Sequence, residues 1–452
     1  MLKKTSWVII FILVALFFAA PSLLGFSLLK IGDAVKVSTS MSAKLACSAS
    51  FISGFDERRI VNDLATYSPV NRLVNLTYSS SQVSATLFGI AKTTATYRDG
   101  LGCTLDIGDT KPLDKINVTQ LKPSPAQWPL GESVTHINAF MQQQLDEMLK
   151  SDNKQGLDSR AMLIVKNGHV IAESYGNNIS AHTPLLGWSM GKSVTSIILG
   201  RMQQLGLLKM SDTHLFAQWN DKRNQLSLID LLQMSSGLKF DETYTPGSDS
   251  TQMLFSAYSA SDVAMASPLV YKLGQYFSYS SGTTNLLSRY IHQQLGNQTQ
   301  TDINFYQQQL YKPLGMTNTV FEVDPSGVFV GSSYIYASGR DWARLGLLML
   351  NKGEINHHKL LSKNWVKAVS TPNRSKNDKR YGYQFWLNAG EKQLRWPSLP
   401  KDAYAMLGNR KQSVMIIPSE KVVFVRIGWT KGEYPLDHNY QQLLTKIKLA
   451  QL

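Results

Sequence analysis

The sequence predicts a mixed α/β (α+β) fold, an antiparallel sheet flanked by helices together with an all-helical domain. Three observations predict it. AMLIVKNGHVIAESYG, residues 161–176, reads as two alternating strands about Asn167-Gly168, a strong hairpin signal. SVMIIPSEKVVFVRIGW, residues 413–429, reads as a second hairpin turning at Pro418-Ser419-Glu420-Lys421. Between roughly Leu205 and Trp342 the chain is mainly helical, with loops rich in Ser, Gly and Asp. Strands at both ends of a helical middle imply a sheet assembled from distant segments, with a helical insertion.

The elements follow in chain order. After Lys3 and Lys4, the run Trp7–Leu29 carries no charge and is long enough to cross a bilayer as a helix. Flanking lysines would stay cytoplasmic, which places everything after Lys30 outside the membrane, in the cell envelope and periplasmic. The small-residue pair Ala19-Ala20 is followed by Pro21, a poor cleavage context, so residues 1–30 read as an uncleaved transmembrane anchor; if they are cleaved as a signal segment the protein is secreted. Residues 31–120 read as an accessory region of short alternating stretches such as QVSATLF and INVTQL. It holds both cysteines of the chain, Cys47 and Cys103, and an isolated pair in an oxidising compartment forms a disulfide.

LKPSPAQWPLGE, residues 121–132, reads as a linker opening the third region, 121–452. INAFMQQQLDEMLK then has helical spacing, and NYQQLLTKIKLAQL closes the chain with another helix. The net charge of +14 raises the question of nucleic acid, but no Arg/Lys-rich helix, zinc-knuckle spacing or aromatic RNA-binding signature accompanies it. The charge reads instead as a generally basic surface suited to anionic envelope polymers. No histidines are spaced to build a metal site, and His357 and His358 read as exposed turn residues.

The chemistry starts at GWSMGKSVTSIILG, residues 187–200. Ser189 and Lys192 are three apart at the start of an apolar helix, so both project from one face. A helix start offers unpaired N–H groups and the positive dipole end, and a buried lysine loses its charge more easily. Such a pair is one way to build a nucleophile and its base. A second S-x-x-K, Ser151–Lys154, lies in the polar stretch SDNKQG with no apolar run after it, and reads as a solvated surface loop. Tyr279-Ser280-Ser281 presents a tyrosine and a hydroxyl from a loop before a helix, where a phenol could relay a proton.

The ordered motifs W-S-M-G-K-S, LIDLLQMSSGLKFDETY, FSYSSGTTNLL, YKPLGMTNTVFE and ASGRDWARLGLLML resemble the serine beta-lactamase and penicillin-binding-protein superfamily. More narrowly, the chain is similar to the class C-related branch that includes 6-aminohexanoate-dimer hydrolase and related esterases, from about Trp128 to Lys446. The resemblance implies a sheet domain and an all-helical domain with the active site between them. It carries over Ser189 as nucleophile, Lys192 as general base and Tyr279 as acid/base partner, with Ser281 in the substrate site. AYAMLGNRKQSVMII resembles the family's A-x-G-H-G-G-Q segment, which aligns Gly408, Asn409 and Gln412 as substrate-binding positions, a backbone N–H near Gln412 serving as second oxyanion donor. Where the family has small glycines this chain has Arg410 and Lys411, a departure that points to altered substrate fit or a preference for an anionic substrate. Tyr244, in FDETYTPG, matches a loop tyrosine that contacts substrate in amide-hydrolysing relatives.

The reading is a serine hydrolase that cleaves an amide or ester of a small molecule or peptide-like substrate through an acyl-enzyme, without metal or organic cofactor. A D-Ala-D-Ala peptidase or beta-lactamase is the alternative that keeps the chemistry. A catalytically inactive relative that binds envelope peptides is the alternative of another class.

Overall fold

The computed structural model describes residues 28–390 and 392–452. The apolar run Trp7–Leu29 therefore lies, but for its last two residues, outside the described residues. Among the described residues no helix is long and apolar enough to cross a membrane.

The first described stretch is a helix laid on a meander. Helix α1 (Ile31–Phe51) is followed by α2 (Glu57–Ala65) and by β1 (Val74–Tyr78), β2 (Gln82–Leu87), β3 (Ile90–Arg98) and β4 (Gly102–Leu105), an antiparallel sheet in the order β1-β2-β3-β4. The disulfide Cys47–Cys103 ties α1 to β4, with the Cα atoms 6.0 Å apart. QVSATLF is strand β2, as its alternation predicts, but INVTQL is irregular and α1 is a long helix where short strands were expected. The reason is compositional. VSTSMSAKLACSAS holds five serines, which have modest helix propensity. Its small side chains let the helix pack closely on the sheet, so Ala43, Ala46, Cys47 and Ser48 are fully buried and tertiary packing supplies the stability.

Residues 121–132 are not a free linker. Trp128 is buried, and Arg344 donates to the carbonyls of Pro129 at 2.7 Å and Gly131 at 2.8 Å. Next come α3 (Ala139–Lys154), β5 (Ser159–Lys166) and β6 (His169–Tyr175), the hairpin turning at Asn167-Gly168, both at positive φ. Ser151–Lys154 forms the last turn of α3 rather than a loop, with Ser151 exposed.

The helical middle holds β7 (Leu185–Leu186), α4 (Met190–Gln204), α5 (Leu228–Leu232), α6 (Asp249–Phe255), α7 (Ala260–Met265), α8 (Ser281–Gln294) and α9 (Thr299–Tyr306). It is followed by β8 (Thr319–Phe321), β9 (Ile335–Ala337) and α10 (Gly339–Leu350), with β7-β9-β8 forming a small sheet. A short hairpin, β10 (Glu354–Ile355) and β11 (His358–Lys359), carries the exposed His357 and His358, and α11 (Lys363–Val369) follows. The chain ends with β12 (Trp386–Leu387), β13 (Tyr404–Gly408), β14 (Gln412–Ile417), β15 (Val422–Gly428) and α12 (Leu436–Leu449).

The main sheet has the order β12-β13-β14-β15-β5-β6, all antiparallel, so the closing hairpin lies directly beside the early one. Both faces are covered. Met162, Ile164, Met415 and Phe424 meet α3 and α12, while Leu163, Val165, Val414 and Val425 meet the α4 and α10 side. That two-sided burial is why these strands read as near-continuous apolar runs.

Candidate active site

The site forms where the start of α4, the start of α8 and the end of β13 converge. Gly187 and Trp188 lead from β7 into α4, with Trp188 at φ +49° just before Ser189. A left-handed backbone at a bulky residue is an outlier that concentrates at functional sites. The helix itself is buried on all sides from Met190 to Gly200, so the position of Ser189 is set by the core. Gly191 inside S-M-G-K is required by packing, because a Cβ there would sit 2.7 Å from the Gly331 carbonyl.

Lys192 is the centre of the cluster. It is fully buried, and its Nζ donates to Ser189 Oγ at 3.0 Å, Ser281 Oγ at 2.9 Å and the Ser332 carbonyl at 3.0 Å. No carboxylate touches it among the described residues. Burial pulls its pKa from the ordinary 10.5 down to about 8, opposed by the more distant charge of Glu242. Tyr279 lies beside it, with the ring centroid 4.9 Å from Nζ. The Tyr279 phenol is raised well above its ordinary value by burial first and Glu242 second, while a hydrogen bond with Ser189 pulls the other way. Trp386 stacks on that ring at 5.3 Å and Tyr381 meets it edge-on at 6.0 Å, which fixes its orientation.

Ser281 links Lys192 to a residue that the motifs did not single out. Its Oγ donates to Glu242 Oε1 at 2.5 Å, and its N–H donates to Glu242 Oε2 at 2.7 Å. A carboxylate is at home at a helix start, where α8 leaves N–H groups unpaired. Tyr244 joins the group: its phenol donates to Glu242 Oε1 at 2.8 Å and lies 3.4 Å from Ser281 Oγ. Glu242 sits two residues before Tyr244 in FDETY. The signal that could have found it is the i, i+2 spacing on a loop already matched for its tyrosine.

The opposite wall is the turn Asn409–Lys411 between β13 and β14. Gly408 packs so tightly that a Cβ would sit 2.1 Å from the Gly187 carbonyl. Asn409 is exposed and its Oδ1 accepts from the Arg410 N–H at 2.7 Å, shaping the turn. Gln412 is buried and its side-chain amide is spent on Gly428, donating to the carbonyl and accepting from the N–H, each at 2.7 Å. Its side chain is thus part of the sheet, and only its backbone is left to face a ligand.

Arg410 and Lys411 stand at φ +62° and +63°, and neither side chain enters the Ser189 cluster. The Arg410 guanidinium lies 3.8 Å from the Tyr67 ring centroid and 6.0 Å from that of Trp429, a cation held among aromatic faces. Lys411 pairs with Glu433 at 2.9 Å at the surface. Bulk at the glycine positions is accommodated by turning both side chains away.

The Beta-lactamase family profile matches residues 137–444, more than half of the chain. No curated protein matches the sequence. Among solved structures, the fold is similar to the "Putative 6-aminohexanoate-dimer hydrolase from Bacillus anthracis", with TM-score 0.59 and 18% identity over 76% of this chain and 94% of that one. It is also similar to a family VIII carboxylesterase, with TM-score 0.54 and 10% identity over 70% of this chain and all of the other. A class C beta-lactamase mutant gives TM-score 0.51 and 14% identity over 70% and 100% of the two chains. With the profile spanning the main sheet, the helical middle and the Ser189–Lys192 pair, the chain belongs to the Beta-lactamase family, in the superfamily of serine beta-lactamases and penicillin-binding proteins.

Proposed function

We propose that the chain is a serine hydrolase that cleaves an amide or ester through an acyl-enzyme, with Ser189, Lys192 and Tyr279 as its catalytic residues. The observation that carries this reading is Lys192: a buried amine 3.0 Å from a serine hydroxyl, with its pKa drawn down to about 8. Near neutral pH a usable fraction of that amine is uncharged. The neutral amine takes the Ser189 proton as Oγ attacks the carbonyl carbon. Ser189's own backbone N–H, at the N-cap of α4, is the donor for the developing oxyanion. Tyr279 relays the proton to the leaving nitrogen or oxygen as its bond to carbon breaks. Water then attacks the acyl ester, its proton returns through the same groups, and Ser189 is restored. These steps call on no metal or organic cofactor. Ser281, Glu242 and Tyr244 hold Lys192 and frame the leaving-group side, while Gly408 and the backbone near Gln412 line the other.

Residues 1–30 serve in this reading as the membrane anchor, 31–120 as an accessory region and 121–452 as the hydrolase domain, placed in the cell envelope outside the cytoplasm. The test is labelling with a fluorophosphonate and, in parallel, with a fluorescent penicillin, using Ser189→Ala as control. Label from the first alone supports an esterase or amidase; label from both supports a penicillin-recognising enzyme. Wild-type protein that takes neither label overturns the acyl-enzyme. Matched nitrophenyl ester and nitroanilide substrates then separate ester from amide preference.

A further inference from the structure

One end of the molecule gathers exposed apolar side chains that the fold does not use. Phe88 and Gly89 form a two-residue hairpin tip between Leu87 and Ile90, both at positive φ, +52° and +72°. That turn favours Asn-Gly, and a phenylalanine there is both strained and 75% exposed. Ile90, Leu73 and Ile31 are 62, 57 and 55% exposed. Leu73 adjoins Val74, which pairs with Leu87 beside the tip.

Ile31 belongs to the same end. Thr39 on α1 lies 3.1 Å from Thr93 on β3, and Cys47 is bonded to Cys103, which pairs with Tyr97. Eight helical residues span ~12 Å and four strand residues ~13 Å, so α1 and β3 run side by side in the same direction. Stepping back the same distance from Thr39 brings Ile31 level with Gly89 and Ile90. Exposed Lys30, Lys36, Arg72 and Lys92 surround the patch, with Asp33 beside Lys30 and Asp241 within electrostatic reach of it. The uncharged run that reads as an anchor ends at Leu29, immediately before it.

The same end reaches the catalytic mouth. A Cβ on Gly247 would sit 2.7 Å from Asp33 Oδ2 and 3.5 Å from Lys30 Nζ, so the start of α1 abuts the loop that carries Glu242 and Tyr244.

We propose that Phe88, Ile90, Leu73 and Ile31 form a lipid-facing surface that rests in the interface of an anionic bilayer and turns the catalytic mouth toward it, selecting amphiphilic amides or esters held at the membrane. An aromatic tip ringed by lysines and arginines suits the headgroup boundary, where apolar burial and attraction to anionic lipid add. The substrate class rests on the hydrolase reading above; the lipid contact does not.

The full chain is reconstituted in vesicles of phosphatidylglycerol and phosphatidylcholine with Phe88→benzoylphenylalanine or, as control, Leu449→benzoylphenylalanine. Leu449 is equally apolar and 72% exposed, and its neighbour Lys448 pairs with Glu420 at the sheet end remote from Gly408. Irradiation is expected to couple lipid to position 88 about tenfold more than to position 449, in line with interfacial burial at one end only. Equal coupling, no lipid adduct at 88, or an adduct to a second protein chain overturns the proposal. The double variant Phe88→Asp with Ile90→Asp is expected to lose about tenfold on an ester dissolved in the vesicles while staying within about twofold on a short soluble ester. Parallel losses on both substrates overturn the selection of membrane-held substrates. If wild type hydrolyses neither ester, the hydrolase reading fails while the photoadduct still decides the lipid contact.

Discussion

Two lysines of this protein live in nearly the same surroundings and differ in one respect. Lys44 and Lys192 are both buried, and each donates to a serine hydroxyl at 3.0 Å. Each also faces a tyrosine ring, Tyr334 at 4.1 Å and Tyr279 at 4.9 Å. Each takes a partner from the 322–332 segment, Glu322 for Lys44 and the Ser332 carbonyl for Lys192. The difference is the carboxylate. Glu322 touches Lys44 directly and also accepts from Ser48 Oγ and the Cys103 N–H, each at 2.7 Å. Glu242 is held off Lys192 by the intervening Ser281. Burial lowers the pKa of both amines; at Lys44 the touching carboxylate opposes that shift by contact and hydrogen bond, at Lys192 Glu242 opposes it only from a distance. A lysine in contact with an acid is a structural pair; one hydroxyl further away it becomes available as a base.

The strongest way to break the comparison is to remove each amine in turn. Lys192→Met and Ser189→Ala are each expected to lower kcat by ~10⁴ or more, as for members of a unit that acts together. Lys44→Met, measured per folded molecule in the same ester assay, is expected to stay within about tenfold of wild type. A comparable collapse in Lys44→Met would remove the distinction.

The second effect is on stability. Lys44→Met takes the buried Glu322 carboxyl's cationic partner away and leaves it only the Ser48 Oγ and Cys103 N–H donors, an expected cost of about 3–5 kcal/mol in denaturant unfolding. Lys44→Met with Glu322→Gln should recover much of it; a single variant as stable as wild type would deny the pair its structural role. Next, replacing Cys47 and Cys103 by alanine should cost about 2–4 kcal/mol, since the bridge closes a loop of 56 residues. The fluorophosphonate labelling rate of the folded fraction should stay the same.

The smallest effect sharpens the comparison most. Lys192 must be uncharged to act, so kcat/KM should rise with pH through a limb near its pKa of about 8. Glu242 raises that pKa, so Glu242→Gln, which keeps hydrogen-bonding capacity without the charge, should move the limb toward acid by about one pH unit or less. A limb that stays put or moves toward base contradicts the effect of the Glu242 charge on Lys192.

The sheet and its two hairpins were readable because short apolar runs and turn chemistry at Asn167-Gly168 and Pro418–Lys421 are local properties. Ser189, Lys192 and Tyr279 were readable because helix starts and apolar runs frame them. Helix α1 was not, because its serine-rich stretch is a modest helix former and draws its stability from the sheet it covers. Glu242 was hidden for a related reason: its role depends on Ser281, 39 residues further on, and distant pairing leaves no trace in spacing. Arg410 was legible only as a departure from the family's glycines; its place against Tyr67 and Trp429 depends on residues far away in the chain and leaves no mark in the local sequence.

Tyr67 gives that last contact a wider meaning. Its ring edges onto Trp188, the residue before the nucleophile, at 6.1 Å, and Trp188, Tyr334 and Trp429 share one apolar cluster with Ala43, Leu45 and Ile60. A chain trimmed to the span the family profile matches would begin at residue 137 and strip the cover from those aromatic rings. Residues 31–105 are therefore not a detachable ornament that could be traded between relatives. They and the aromatic rings beside Ser189 share one core, so the two are best expressed and redesigned as a single piece.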